Sequence, residues 1–262
     1  EPVTAIPGNK TAVPAPRGVL APGPRLHGER LARAECGATP DLDKIRTAVE
    51  PVRAACYLAE KEKTLMKVVA FNGSARKDGN TAALLQAALQ RLNGKGIDTE
   101  LVHLAGTHIH GCIACYGCFK NKDQRCAVKS DVLNDCIAKM VEADGILIGS
   151  PTYFADLTTE TKALIDRAGF VARANGNMFK RKVGAAVVAV RRAGGIHVFD
   201  SINHFFLIGE MIVPGSSYWN VGVARDKGDA EEDEEGMRTM QTLGENMAWL
   251  LKRVGGVGEQ AG

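Results

Sequence analysis

The chain has 262 residues, 45% hydrophobic and 24% charged, which is enough for one globular core of about 150–200 residues with sequence to spare. A formal charge of +3 and a pI near 8.5 are too mild to demand a nucleic-acid partner, and the one dense charge run, Glu231 to Glu235, is acidic and predicts a solvated helix start. No stretch approaches the roughly 20 apolar residues of a membrane span, and the amino-terminal residues lack the apolar block of a secretory signal, so a cytoplasmic protein without a membrane partner is expected.

Eight of the ten prolines fall in the first 51 residues. Residues 1–24 mix them with Gly and Ala in no helical or strand period, and the pattern turns weakly helical only between Asp41 and Lys63. Residues 1–64 therefore read as a Pro-rich, poorly ordered extension, with packing on a partner subunit left open. A regular domain, 65–254, begins with the run Lys67 to Phe71, and 255–262 form a tail. Met66 is a candidate native start.

Short β-branched runs recur at Val68 to Phe71, Thr99 to Leu104, Gly145 to Ile148, Val183 to Val190 and Met211 to Val213. Between and after them lie helical patterns at Thr81 to Leu92, Asp131 to Val141, Thr159 to Ala172, Ile196 to Gly209 and Glu232 to Arg253. Alternation of this kind predicts an α/β fold, a five-stranded parallel sheet covered on both faces. Such open sheets bind ligands at the carboxyl ends of their strands, where the winding reverses, so the loops there are the candidates for function.

The first of these loops, Asn72-Gly73-Ser74-Ala75-Arg76-Lys77-Asp78-Gly79-Asn80-Thr81, runs straight into a helix. Glycines admit an anion to the backbone, and the helix start directs its positive dipole end there. Ser74, Asn80 and Thr81 are candidate donors and Arg76 a neutralising charge. The loop matches neither the nucleoside triphosphatase nor the dinucleotide pattern, so a monophosphate is the better reading, with an ordinary Gly- and Asn-rich turn and helix cap as the alternative for this loop taken alone. After the third strand, Pro151, Thr152, Tyr153 and Phe154 present an aromatic pair suited to a planar ring system. After the fourth, Gly194 and Gly195 form a glycine turn with room for a ring edge.

Seven cysteines are present, four of them crowded into fifteen residues as Cys112, Cys115, Cys118 and Cys126. The spacing C-x2-C-x2-C-x7-C lets three thiolates wrap one corner of a compact cluster while the fourth returns from a short loop. Structural zinc more often takes two C-x-x-C knuckles from separate segments, so a [4Fe–4S] cluster is favoured over zinc, and thiols lining a pocket without metal remain the other alternative. Lys120, Lys122, Asp123 and Arg125 are more charged than an apolar cluster shell prefers: either this return faces solvent or the cluster is absent. Cys36, Cys56 and Cys136 read as incidental thiols. His108, His110, His197 and His204 read as loop or structural histidines, and Arg191 and Arg192 as candidates for a nicotinamide phosphate.

From Met66 to about Val254 the sequence resembles the NADPH-dependent FMN reductases of the flavodoxin-like superfamily. The likeness rests on Gly73-Ser74-Ala75-Arg76 with Gly79-Asn80-Thr81, on Ser150-Pro151-Thr152-Tyr153-Phe154 and on Met211-Ile212-Val213-Pro214-Gly215. The cysteine spacing is similar to that of the iron–sulfur flavoproteins, a branch of the same superfamily. The resemblance implies a flavodoxin-like doubly wound fold, FMN with its phosphate on the first loop and its ring on the second, and Gly194 and Gly195 by the ring's pyrimidine edge. It also implies cluster ligation by the four cysteines and a homo-dimer or homo-tetramer. Two functions follow as expectations. One is an electron-transfer flavoprotein supplied by a ferredoxin-like donor, and the other is a cluster-free NAD(P)H-dependent FMN or quinone reductase. A zinc-holding, non-enzymatic module is the third reading.

Overall fold

The computed structural model describes residues 66–255, all within the unit Glu62–Gly262. The predicted disorder of 1–64, Cys36, Cys56 and nearly all of the predicted tail lie outside them. Strands β1 (Lys67–Asn72), β2 (Asp98–His103), β3 (Gly145–Pro151), β4 (Val183–Val190) and β5 (Val221–Val223) form one sheet. The helices are α1 (Asn80–Gly94), α2 (Gly117–Asn121), α3 (Leu133–Glu142), α4 (Thr159–Ala174), α5 (Gly195–Ile208), α6 (Asp229–Glu232) and α7 (Glu234–Val254).

All strand pairs are parallel, in the order β2-β1-β3-β4-β5. That is the doubly wound order, with its reversal between β1 and β3. The near-continuous apolar runs of β1, β3 and β4 follow from burial on both faces. Val69, Phe71, Ile146 and Ile148 pack under α3, α4 and α5. Their neighbours Val68, Ala70 and Leu147 pack under α1 and α7, against Leu84, Leu85, Leu243 and Met247. Each fully buried side chain of this size contributes about 1.5–3 kcal/mol.

The acidic run does start a helix, and through a specific bond. Gly236 N donates to Asp233 Oδ1 at 3.0 Å, while Val223 N donates to Oδ2 at 2.7 Å and ties α7 to β5. The fifth strand departs from expectation. Met211 to Val213 reaches the sheet only through one bridge, Ile212 beside Val183, and the three-residue β5 comes later, opposite Val188 to Val190. Pro214 has no N–H to continue a ladder. The chain therefore swings outward over residues 214–220 and rejoins the sheet at Val221, after Val188 N has donated to Asn220 O at 2.9 Å.

Candidate flavin site and cysteine cavity

Parallel strands bring the loops after β1, β3 and β4 to one edge, and a small polar network locks the first two together. Asn72, fully buried at the end of β1, accepts from Ser74 N at 3.0 Å and donates through Nδ2 to Lys77 O at 3.3 Å. Ser74 is buried and its Oγ accepts from Arg76 N at 3.1 Å, which leaves the hydroxyl proton free to donate outward. Gly73 N donates to Gly149 O at 2.8 Å, and Thr158 Oγ1 donates to Gly73 O at 2.8 Å. Thr158 N donates in turn to Ser150 Oγ at 3.1 Å, and Thr161 N to Thr158 Oγ1 at 3.2 Å, which caps α4. A Cβ on Gly73 would stand 1.8 Å from Thr161 Oγ1, so only glycine permits this approach.

Helix α1 begins beside this network with no side-chain cap on its N-terminal residues. Thr81 is buried at its first turn. Asn80 is engaged elsewhere: its Nδ2 donates to Asp226 O at 2.7 Å and its Oδ1 accepts from Gly228 N at 3.1 Å. It thus staples the loop after β5 over the first loop, where Lys227 pairs with Asp78. Sequence reading missed this bracing. No local pattern links residues nearly 150 positions apart, although Gly228, left-handed at φ 102°, marked a turn there.

At the second loop Thr152 N donates to Ala189 O at 2.8 Å, which holds Pro151 and Thr152 against β4. Thr152 Oγ1 is buried and has no hydrogen-bond partner among the described residues. Tyr153 is half exposed and Phe154 wholly exposed, at 102%, so the aromatic pair is not part of the core. Gly194 adopts φ 88° at the start of α5, a left-handed position that suits glycine, and a Cβ there would lie 3.2 Å from Thr152 Cγ2. Gly195 is buried behind it. His197 Nε2 lies 3.3 Å from Asp156 Oδ2 across the same loops. Arg191 and Arg192 point to solvent. An orphaned hydroxyl, an uncapped helix start and unshielded ring faces together fit a phosphate-bearing planar cofactor.

The cysteine loop leaves β2 at the same edge but does not stay there. Cys112, Cys115, Cys118 and Cys126 line one cavity of about 180 Å³, walled by Ile113, Val128, Phe170 and Val171. Arg167, Phe170 and Val171 belong to the middle and far half of α4. By helical rise they lie about 13–20 Å along the helix from Thr158. A loop that follows β2 is expected to emerge at the same carboxyl edge as the flavin loops; this one instead packs along the second half of α4, with Phe119 against Phe170 and Gln124 N donating to Asn175 Oδ1 at 3.0 Å. Left-handed Ala114 (φ 51°) and Tyr116 (φ 54°) turn the chain sharply around Cys115.

One ion pair anchors this loop. The side chains of Arg167 and Asp131 are 1% and 0% exposed and bonded to each other. Arg167 also donates to His110 O at 3.0 Å and to Cys126 Sγ at 3.3 Å, while its Nε, buried, has no partner among the described residues. Burial works against the Asp131 carboxylate, but the Arg167 guanidinium and the backbone N–H groups of His110 and Leu133 together outweigh it and hold the carboxyl below the ordinary range. Cys126 N donates to Asn134 Oδ1 at 2.7 Å. His108 Nε2 and His110 Nε2 are 3.0 Å apart, bonded to each other outside the cavity lining. Burial raises the Cys118 thiol, and Cys126 and Cys112 add to the shift. Cys136 is a core thiol, pushed up to about 11 by burial. Lys120, Lys122, Asp123 and Arg125 are all exposed, so the charged return faces solvent and the cavity wall is apolar.

Among the described residues no three His, Cys, Asp or Glu side chains converge on a single-ion position. Four irons at separate corners require a wider set of thiolates. Four cysteines around one apolar cavity, with a buried cation beside them, fit that donor set.

This arrangement defines a flavodoxin-like α/β protein whose loops after β1, β3 and β4 meet at the carboxyl edge of its sheet. The family model for the NADPH-dependent FMN reductases matches residues 66–226, and the chain belongs to that family. It is 36% identical over 196 residues to an iron–sulfur flavoprotein of Methanocaldococcus jannaschii, covering 72% of this chain and 99% of that one. It is 32% identical over 191 residues to an iron–sulfur flavoprotein of Methanosarcina thermophila, covering 72% and 97%. Among solved structures, RosB aligns with a TM-score of 0.61 at 18% identity, over 75% of this chain and 82% of that one. A WrbA-like flavodoxin of Agrobacterium tumefaciens aligns at 0.51 and 12% identity, over 72% and 99%. Both share the fold. The protein is an FMN-dependent oxidoreductase.

Proposed function

We propose that this oxidoreductase is an iron–sulfur flavoprotein, passing electrons between a [4Fe–4S] cluster on Cys112, Cys115, Cys118 and Cys126 and FMN at the loops after β1, β3 and β4. The observation that carries the reading is the gathering of all four cysteines around one apolar cavity beside Arg167. The chain's likeness to the iron–sulfur flavoproteins of Methanocaldococcus jannaschii and Methanosarcina thermophila supports it. When bound, the cluster supplies one-electron exchange and FMN supplies storage of one or two electrons. The remaining work belongs to the chain. Ser74, Arg76, Thr81 and the loop backbone hold the phosphate, with Asn80 bracing the loop from behind. Pro151, Thr152, Tyr153 and Phe154 position the ring, Thr152 through its free hydroxyl, and Gly194 and Gly195 leave room at its edge. Arg167, paired with Asp131, donates to Cys126 Sγ at 3.3 Å and so positions that thiolate.

A ferredoxin-like protein fits as donor in a reducing cytoplasm. The exposed Ile113, Tyr116 and Phe154 favour a homo-dimer or homo-tetramer. Among the described residues no helix is long and apolar enough to cross a membrane. The family's name keeps NAD(P)H as the rival donor. An anaerobic absorption spectrum, with iron, acid-labile sulfide and FMN quantified on the same sample, tests the reading. About four iron and four sulfide per chain with one FMN is the expected result. Flavin without iron after anaerobic reconstitution would reject the cluster and leave a cluster-free NAD(P)H-dependent FMN or quinone reductase.

A further inference from the structure

The last residue of β2, His103, stands opposite Asn72 at the end of β1. Leu104 N donates to Asn72 O at 3.0 Å, so the two strand ends are tied together where the first loop departs. Side chains alternate along a strand, and Thr99, Leu101 and His103 therefore share the face of β2 turned to α1, where Leu101 packs. The His103 ring is half-buried, and its Nδ1 lies 3.1 Å from Asn72 Nδ2.

The direction of that bond is fixed by the rest of the network. Ser74 N can only donate, so the Asn72 atom 3.0 Å from it is the amide oxygen, and the amide nitrogen faces Lys77 O and His103. Both hydrogens of Nδ2 are then committed. Nδ1 must accept, which puts the imidazole proton on Nε2. An imidazolium carries N–H at both positions and would set donor against donor at 3.1 Å. Asn72, fully buried, can escape only by turning its amide, and the bonds to Ser74 N and Lys77 O turn with it.

The surrounding charges do not offset this conflict. In the first loop Arg76 and Lys77 carry the same sign as an imidazolium, and Asp78 is paired with Lys227. Helix α1 has no charged residue before Arg91, which turns to Gln241 and Glu245 on α7. Glu100 stands on the opposite face of β2, paired with Lys67 and Lys139.

We propose that His103 is a positioning residue for the phosphate of FMN: accepting from Asn72 Nδ2, it holds the first loop in its binding form, and protonation at Nδ1 releases the loop and weakens FMN. The inference rests on the placement of the phosphate at Ser74, Arg76 and Thr81 proposed above. Imidazole ordinarily changes charge between about pH 5 and 8, the range in which the test is made.

The test compares FMN with riboflavin, which lacks the phosphate, by equilibrium dialysis against the full chain freed of flavin. The ratio of the two dissociation constants reads the phosphate loop, whereas general unfolding weakens both ligands alike. His103→Asn keeps an acceptor in the place of Nδ1 that cannot be protonated, and His103→Leu removes the acceptor. At pH 8 the parent and His103→Asn should prefer FMN, and in His103→Leu the preference should be smaller by about threefold or more, the weight of one neutral hydrogen bond. Between pH 8 and pH 5.5 the parent's preference should fall about threefold or more beyond the fall in His103→Asn, which retains only the phosphate's own second ionisation near pH 6. A parent that binds FMN no better than riboflavin at any pH would overturn the phosphate placement and the proposal with it. A clear FMN preference that falls equally with acid in the parent and His103→Asn, that survives His103→Leu undiminished, or that His103→Asn fails to restore at pH 8 would overturn the proposal alone.

Discussion

The flavin edge and the cysteine loop are both loops by composition, yet they are held in place by different physics. The flavin edge hangs on strand ends. Two bonds, Gly73 N to Gly149 O and Thr158 Oγ1 to Gly73 O, join two loops that the parallel sheet has already brought together, one further bond steadies each loop internally, and no charge takes part. The cysteine loop packs along α4 with one five-residue helix of its own, and its one buried ion pair is Arg167–Asp131. The first is held by neutral bonds alone, while the second combines the hydrogen bonds of Asn134 with one buried ion pair. A buried ion pair adds little net stability while intact but costs much when one partner is lost.

That contrast breaks most visibly at Asp131. Asp131→Ala leaves Arg167 buried and uncompensated and should cost about 3–5 kcal/mol in urea unfolding. Iron content should fall further than FMN content in the purified variant, because only the cysteine loop loses its anchor. A loss below about 1 kcal/mol would show that the loop is held by something else.

Gly73→Ala attacks the other region. Its Cβ collides with Thr161 Oγ1, and overpacking of this kind costs about 1–3 kcal/mol. FMN affinity measured by flavin fluorescence should drop, iron content should not, and a second substitution, Thr161→Ala, should restore part of the affinity. A milder result is expected for Thr158→Val. Loss of the α4 cap and the bond to Gly73 O should cost about 0.5–2 kcal/mol, read from thermal or urea unfolding, with FMN still bound.

The smallest effect at neutral pH is the most specific. The Asp131 carboxyl sits below its ordinary value in the folded chain, so the pair stabilises fully above the usual carboxylate range. That stabilisation is lost as pH falls through the folded-state value. Stability measured against pH should therefore decline on the acid side, and Asp131→Asn should flatten that part of the curve.

Much of this was legible in the residues. The strand runs, the helix starts and the loop chemistry of Gly73 to Thr81 and Ser150 to Phe154 are local patterns, and they translate directly into a doubly wound sheet with its ligand edge. The four cysteines were legible as a set because their spacing is short. The fifth strand misread as Met211 to Val213 shows the limit, since that run has the right residues but Pro214 ends its ladder and the edge of β4 selects Val221 to Val223 instead. Asn80 was assigned to a phosphate for its residue type, although its bonds go to a loop almost 150 residues away.

The sequence by itself determined the layer order, the positions of the glycines that let backbones approach, and the thiol count of the cysteine loop, because each depends on neighbours within a few residues. Only the tertiary structure decided that the cysteine loop lies back along α4, that Arg167 and Asp131 find each other beneath it, and that Asn203 Oδ1 is buried with no partner among the described residues. Those facts arise from packing between segments distant in the chain, where burial makes a single unpaired or newly paired polar group count for more than any local propensity.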